Sequence, residues 1–235
     1  MIANEVPSHG SYALGAVFGG SIFEDGAIHQ WSSLIAPWLE KYDTDLEARH
    51  LLYRGLRAVA DDALNELIVV ALKWLSRWRL EDEASFVISP LLHQRALGVA
   101  EFNKLIPWAL EWLGRYGPKA EAQFVLEPLL SRKDVREPEA SKAISFAMAW
   151  LESFGPKEEA QFVFRPLLSR KDLKEPEAAK AISLALAWLG SYGPTVKAQF
   201  VIEPLLSRKD LKESDAGKAI SIALAWLDSY GRKVS

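Results

Sequence analysis

The charged residues best suited to contact a ligand recur at one fixed spacing. The string Ser-Arg-Lys-Asp occurs at residues 131–134, 169–172 and 207–210, so the three copies are evenly spaced along the chain. If the repeats stack, these loops share one edge and form a ladder of six cations: Arg132, Lys133, Arg170, Lys171, Arg208 and Lys209. Three roles are open for this ladder: capping of the preceding helix, contact with an acidic partner, or contact with a nucleic-acid backbone. Capping is favoured, because each loop carries its own Asp and has a Glu nearby.

A second candidate contact row lies along the predicted second helix of each repeat. Its members are small or basic and form the least apolar strip of that helix: Lys142, Ser145, Ala149, Lys180, Ser183, Ala187, Lys218, Ser221 and Ala225. If these helices line the concave side of a stack, the strip forms a weakly basic groove with small walls. Such a groove can admit an extended or helical segment of another protein. The alternative is a solvated face without a partner.

Beyond these two rows, the sequence offers no catalytic, cofactor or metal site. The four histidines are spread along the chain at His9, His29, His50 and His93. No two of them have the spacing of metal ligands on a helix. The pair Gly217-Lys218 lacks the earlier glycine of a phosphate-binding loop. The absence of cysteine excludes disulfides, thiolate zinc sites and cysteine nucleophiles. We therefore predict that the chain is not an enzyme and binds no cofactor.

The net charge of −3 and the composition argue against nucleic-acid-binding, membrane and secreted proteins. A chain with this charge has no overall basic field, so nucleic acid is the least favoured partner. No segment reaches the roughly 18 consecutive apolar residues of a membrane helix. The apolar segment at residues 12–23 is short and glycine-rich, and it lacks the basic start of a secretory signal. A cytoplasmic protein without a membrane partner is expected, because a chain without cysteine fits a reducing compartment.

A repeating unit must position both contact rows, and three residue types define its period. Phenylalanine, tryptophan and proline all return at the same distance: Phe86, Phe124, Phe162 and Phe200; Trp74, Trp112, Trp150, Trp188 and Trp226; Pro90, Pro128, Pro166 and Pro204. A fixed period of about 20–50 residues is typical of solenoids and other repeat arrays. The period is therefore stronger evidence for a repeat fold than any single motif in the sequence.

Residues 157–194 show how one repeat is built. Residues 157–170 predict a first helix with acids in its first turn and a cation at its end, as the helix dipole prefers. Pro166 lies inside this helix and predicts either a kink or a break into two short pieces. Pro176 suits the first position of a second helix, and Gly193 suits the C′ position that ends it.

The second helix of the repeat is apolar on more than one side. One stripe includes Ile182 and Leu189, and another includes Ala181 and Trp188. A helix that is apolar nearly all round must be buried between neighbours. The tryptophan of each repeat is therefore interpreted as filler of the core between repeats, rather than as part of a ligand-binding row.

The repeat resembles two known families of helical hairpins. "FGPKEEAQFVFRPLLSR", residues 154–170, is similar to the turn and following helix of a tetratricopeptide unit. "FVLEPLLSRKDVREPEASKAISFAMAWL", residues 124–151, is similar to a HEAT unit with a proline-kinked first helix and an alanine-rich second helix. The repeat is a few positions longer than a tetratricopeptide unit, so the two resemblances both stay open. Either one implies protein or peptide binding on a concave face.

The predicted fold is an all-α, right-handed solenoid of about five helical hairpins. The hairpins are assigned to residues 45–80, 81–118, 119–156, 157–194 and 195–232. An orphan helix over residues 28–43 begins the solenoid, which covers residues 28–235, and residues 1–27 form a glycine-rich arm outside it. No polar capping helix follows the last hairpin, so we expect either a partner or a second copy at that end, or a sequence that is a piece of a longer array.

The predicted function is a non-catalytic scaffold, adaptor or regulatory subunit. Its partner would be another protein, bound through the helical-repeat groove and the open ends. One alternative is the binding component of a bacterial signalling or defence complex whose catalytic activity lies on another chain. The other is binding of a nucleic-acid backbone through the Ser-Arg-Lys-Asp loops.

Overall fold

The computed structural model of the protein describes Leu39, Lys41 and residues 45–58, 61–95 and 97–230. Within these ranges the chain forms α-helices, short 3-10 turns and loops, and no strand occurs. None of the described helices combines the length and apolarity needed to cross a membrane. The predictions for the arm at residues 1–27 and for most of the orphan helix at 28–43 fall outside the described residues.

Ten α-helices are described, in five successive pairs. Their bounds are α1 Arg49–Ala58, α2 Asp61–Trp78, α3 Ser85–His93, α4 Val99–Tyr116, α5 Gln123–Ser131, α6 Glu139–Phe154, α7 Gln161–Ser169, α8 Glu177–Tyr192, α9 Gln199–Leu206 and α10 Glu213–Tyr230. The chain divides into two compact units, an N-terminal unit that ends at Arg115 and a C-terminal unit that starts at Tyr116.

Within each unit, neighbouring hairpins pack side by side. In the N-terminal unit, α1 contacts both α2 and α3. In the C-terminal unit, α7 lies between α5 and α9 in one layer, while α8 lies between α6 and α10 in the other. The helices of one repeat also pack across the two layers. These contacts confirm the predicted all-α helical-repeat architecture.

Each first helix is shorter than the sequence predicts, because a 3-10 turn replaces its first turn. In the fourth repeat the turn spans Glu158–Ala160, and α7 begins at Gln161. Pro166 is buried inside α7, so the helix is not divided at the proline. The change of helix type comes well before Pro166, between Ala160 and Gln161. The prediction of a continuous helix over 157–170 was therefore wrong at its start.

The ends of the second helices also differ in detail from the prediction. Pro176 is the N-cap of α8 rather than its first helical residue. Gly193 keeps a helical φ of −52°, and no described glycine has a positive φ, so the C′ prediction was wrong. A Cβ on Gly193 would lie 3.0 Å from Ile222 Cγ2 and 2.5 Å from the Leu189 carbonyl oxygen. Glycine is thus needed there chiefly because a side chain would collide with the Leu189 carbonyl of the same repeat, and Ile222 of the next repeat adds to the crowding.

The tryptophans fill the core and also join the two ends of a repeat. Trp74, Trp112, Trp150 and Trp188 are at most 2% exposed, which confirms the core interpretation for these four. The Nε1–H of Trp150 donates to the Lys119 carbonyl at 2.9 Å, and that of Trp188 donates to the Lys157 carbonyl at 2.8 Å. Each acceptor is the residue before a 3-10 turn. The end of the second helix is thereby fixed to the start of its own repeat.

The last described repeat exposes side chains that are buried in the repeat before it. Ile182 is 4% exposed and Leu189 is 1% exposed, whereas their counterparts Ile220 and Leu227 are 49% and 51% exposed. Leu224 on the same helix is 58% exposed. In the C-terminal unit, α6 and α8 each contact the second helix that follows, whereas no described helix follows α10.

This difference predicts unequal effects of one substitution at equivalent positions. Leu189→Ala should lower the free energy of unfolding by about 2–5 kcal/mol, because it leaves a cavity in a packed core. Leu227→Ala should lower it by about 1 kcal/mol or less, because half of that side chain is already in water. Urea denaturation of both variants measures the two losses, and equal losses would contradict the stacking of α8 against α10.

Candidate partner-binding surfaces

Two arginines of the Ser-Arg-Lys-Asp loops, Arg170 and Arg208, are buried against the preceding repeat. The Arg170 side chain is 6% exposed, and its guanidinium donates to the carbonyls of Leu130 at 3.1 Å and Val135 at 3.3 Å. Arg208 repeats the contact one repeat later, donating to the Leu168 carbonyl at 3.0 Å. Leu130 and Leu168 lie in the last turns of first helices, where carbonyls have no partner within the helix. These arginines therefore cap the first helix of the preceding repeat.

Each of these arginines also binds the aspartate two residues later. The Arg132 guanidinium holds both Asp134 carboxylate oxygens, at 3.0 and 2.6 Å, and Arg170 and Arg208 hold Asp172 and Asp210 in the same way. Hydrogen bonds from the guanidinium lower the pKa of Asp134, and the same cause lowers the pKa of Asp210. Burial raises the pKa of Asp172, but the hydrogen bonds and the charge of Arg170, a backbone hydrogen bond and the charge of Lys174 together outweigh it, so the net shift is downward.

The expected ladder of six cations is therefore reduced to three. Arg132, Arg170 and Arg208 are 12%, 6% and 7% exposed, and each is paired with a carboxylate. Lys133, Lys171 and Lys209 are exposed, and none of them forms an ion pair with any residue that the structure describes. The capping role was favoured from sequence for the whole loop, and in the structure it belongs to the arginines. Of these six cations, only the lysines offer charge to a ligand.

Two equivalent grooves lie between the loops of successive repeats. The first has a volume of about 660 Å³ and includes Glu127, Lys133, Arg165 and Lys171 in its lining. The second has a volume of about 600 Å³ and includes Arg165, Lys171, Glu203 and Lys209. Arg165 and Lys171 thus line both grooves. Apart from the arginine–aspartate pairs, each groove has three cationic side chains against one carboxylate.

The strip on the second helices is exposed, as a contact surface requires. All nine of its predicted members lie at the surface: Lys142, Ser145, Ala149, Lys180, Ser183, Ala187, Lys218, Ser221 and Ala225. Lys180 is paired with Glu152 of the preceding repeat. The hydroxyls of Ser145 and Ser221 donate to carbonyls of their own helices, at 2.9 and 3.0 Å. The strip therefore presents little apolar area and few uncommitted polar groups.

A row of exposed phenylalanines is a surface that the sequence analysis missed. Phe124, Phe162 and Phe200 are 57%, 52% and 37% exposed, although they lie on helices with fully buried apolar neighbours. Each occupies the same position on α5, α7 or α9. The Arg165 guanidinium carbon lies 5.4 Å from the centre of the Phe200 ring, which accounts for its lower exposure.

The pattern of α7 contained the signal for this row. Val163, Phe164, Leu167 and Leu168 mark the buried side, and they are all 2% exposed or less. Phe162 instead shares its side of the helix with Arg165 and Ser169, one and two turns further along. The phenylalanine period by itself defines the repeat, and only the pattern within α7 shows that Phe162 lies on the exposed side of the helix.

Comparisons with known proteins leave the family open. No family model matches the chain, and no curated protein matches it. Solved structures do match, among them "Crystal Structure of PUF-8 in Complex with PBE-RNA", with 10% sequence identity and a TM-score of 0.41. That match covers 94% of this chain and 74% of the other. The chain is a helical-repeat protein, and neither the tetratricopeptide nor the HEAT resemblance is confirmed.

The caps predict that the arginine and lysine of one loop differ in their effect on stability. Arg170→Lys should lower the free energy of unfolding by about 1–3 kcal/mol. The lysine ammonium cannot donate to the carbonyls and to Asp172 at once, as the planar guanidinium does, so it leaves buried carbonyls unpaired. Lys171→Gln, at the next residue, should change it by about 0.5 kcal/mol or less. Chemical denaturation of the two variants measures the difference. Similar values would show that Arg170 does not act as a cap.

The lowered aspartate pKa values predict an acid-dependent loss of stability. A carboxyl with a lower pKa in the folded state stabilises the fold above its unfolded pKa of about 3.9, and the contribution is lost as the pH falls through the folded pKa. Between pH 6 and pH 2, the wild type should therefore lose more stability than a variant with Asp134→Asn and Asp210→Asn. Thermal unfolding across that range tests this, and parallel curves would contradict it.

Proposed function

We propose that the chain is a non-catalytic protein-binding scaffold. In the C-terminal unit, the outer side of α5, α7 and α9 holds a segment of the partner. The single observation that carries the proposal is the row of exposed rings at Phe124, Phe162 and Phe200. A role as adaptor or regulatory subunit in a reducing compartment belongs to the same proposal, with any catalysis on another chain.

The aromatic row supports protein binding on physical grounds. Large apolar groups that are exposed together mark interaction surfaces, and aromatic side chains supply much of the energy at the centres of protein interfaces. The three rings lie on adjacent helices that pack directly on one another, so a single segment can reach all of them. The strip on the second helices offers serine and alanine instead, and we place it second as a contact surface.

The proposal predicts that the phenylalanines are needed for binding but not for folding. The partner is first identified by cross-linking and co-purification from the source cells, and its affinity is then measured with purified proteins by titration calorimetry. Phe124→Ser, Phe162→Ser and Phe200→Ser together should weaken binding at least about 100-fold, because two anchor residues already contribute that much. The midpoint of thermal unfolding should change by only a few degrees, since the rings are exposed.

The matched control is the opposite surface of the same repeats. Ala149→Glu with Ala187→Glu places charge on the strip of the second helices and should leave the affinity unchanged. If the control variant abolishes binding while the phenylalanine variant retains it, the groove of the second helices is the binding surface and the outer face is not. Turnover of a substrate by the pure chain would overturn the non-catalytic assignment.

A further inference from the structure

We propose that the partner segment is acidic and extended, with a carboxylate at about every third residue. It runs across α5, α7 and α9 and places successive carboxylates at Lys133, Lys171 and Lys209. This inference rests on the proposed function, because it names the chemistry of the segment that the outer face would hold. It draws on different observations, namely the two grooves and the state of the charges in them.

The charges that remain for a ligand are the lysines. In each loop the arginine is bound to its aspartate, and Arg170 and Arg208 also donate to backbone carbonyls, so the arginines have little remaining capacity to bind a ligand. Each groove contains two of the exposed lysines and Arg165, against a single glutamate, either Glu127 or Glu203. Lysines without an intramolecular partner in the described structure gain most from a carboxylate brought by another chain, because no existing ion pair must be broken.

The spacing of the grooves favours an extended segment. Helices that pack side by side, as α5, α7 and α9 do, have axes about 8–10 Å apart. A polyproline-type chain rises about 3.1 Å per residue with three residues per turn, so every third side chain returns to the same face after about 9 Å. Every third side chain of such a segment would therefore meet the next groove. An α-helix is about 10–12 Å wide with its side chains, too wide to enter a groove between helices so close together.

The aromatic row and the grooves form one continuous surface. On α7, Phe162, Arg165 and Ser169 lie on one side of the helix, and the latter two also line the grooves. No phenylalanine lines either groove, and Phe162 precedes Ser169 by about 10 Å along α7. A segment whose carboxylates reach the lysines therefore contacts the rings only through side chains that extend along the helices. The expected motif is an acid, a long apolar residue that can extend toward the rings, and a proline or other extended residue, repeated.

A nucleic-acid backbone fits these grooves less well. It carries a charge at every nucleotide and cannot avoid the glutamates that line the same grooves, Glu127 and Glu203. A peptide can place its carboxylates only where the lysines are. The overall charge of −3 gives no general attraction for a polyanion either.

The test uses the full chain and defined probes. The first probe is a labelled peptide of four Glu-Leu-Pro triplets. Its control has the same composition with the four glutamates in one block, and a third peptide has lysine in place of glutamate. A single-stranded oligouridylate of twelve nucleotides tests the nucleic-acid arm. Fluorescence anisotropy at low and at high salt measures each affinity. The spaced acidic peptide should bind at least about tenfold more tightly than either control peptide, and salt should weaken it.

Two charge-reversal variants separate the lysine row from general electrostatics. Lys133→Glu, Lys171→Glu and Lys209→Glu together should weaken binding of the spaced peptide at least about tenfold. Lys104→Glu, Lys142→Glu and Lys218→Glu change the total charge by the same amount on other exposed sites and should have little effect. The inference is overturned if the two variants behave alike, or if the spaced and blocked peptides bind equally.

The remaining outcomes distinguish this inference from the function on which it rests. Tighter binding of the oligouridylate, lost in the variant of Lys133, Lys171 and Lys209, would assign the row to nucleic acid and reject the acidic segment. If the phenylalanine variant loses the native partner while the lysine variant retains it, the protein-binding function stands and the acidic chemistry fails. If both variants lose the partner and salt weakens it, both are supported.

Discussion

The fold depends on each hairpin shielding the apolar side of the hairpin before it. In an isolated hairpin, a second helix that is apolar nearly all round would expose much of its apolar surface to water. In the C-terminal unit, α6 and α10 cover that surface of α8. The contrast between Leu189, at 1% exposure, and Leu227, at 51%, shows how much of this burial a neighbour supplies. Hydrophobic contact alone would allow the repeats to slide, so directional bonds must set the register.

Two kinds of hydrogen bond fix the register of the helices. Within a repeat, the indole of Trp188 reaches the carbonyl of Lys157 and closes the hairpin. Between repeats, the guanidinium of Arg170 reaches the carbonyl of Leu130, at the end of the previous first helix. Both use backbone acceptors, which are present whatever the side chain. The repeats can therefore vary at the surface, as position 165 shows, without losing their arrangement.

The sequence predicted the fold class and the tryptophan core because the constant repeat period and the apolar pattern carry them directly. It did not predict that Arg170 is buried and paired whereas Lys171, the next residue in the same loop, is exposed. That difference depends on which side chain reaches the Leu130 carbonyl, a contact 40 residues away in the chain. Gly193 was misjudged for a different reason, since its helical backbone conformation would bring a Cβ to 2.5 Å from the Leu189 carbonyl oxygen.

Variation between otherwise constant repeats determines how a long ligand would be placed. The lysines recur unchanged, so by themselves they would bind a periodic acidic segment equally well in several registers. The residue three positions after each exposed phenylalanine breaks that equivalence, being Glu127, Arg165 and Glu203 in turn. A segment that slips by one repeat exchanges a carboxylate for a guanidinium beside the same side chain. Since like charges in one groove repel and opposite charges attract, a segment that also carries charges complementary to Glu127, Arg165 and Glu203 would be held in one register. Affinity is thus expected from what the repeats share, and register from where they differ.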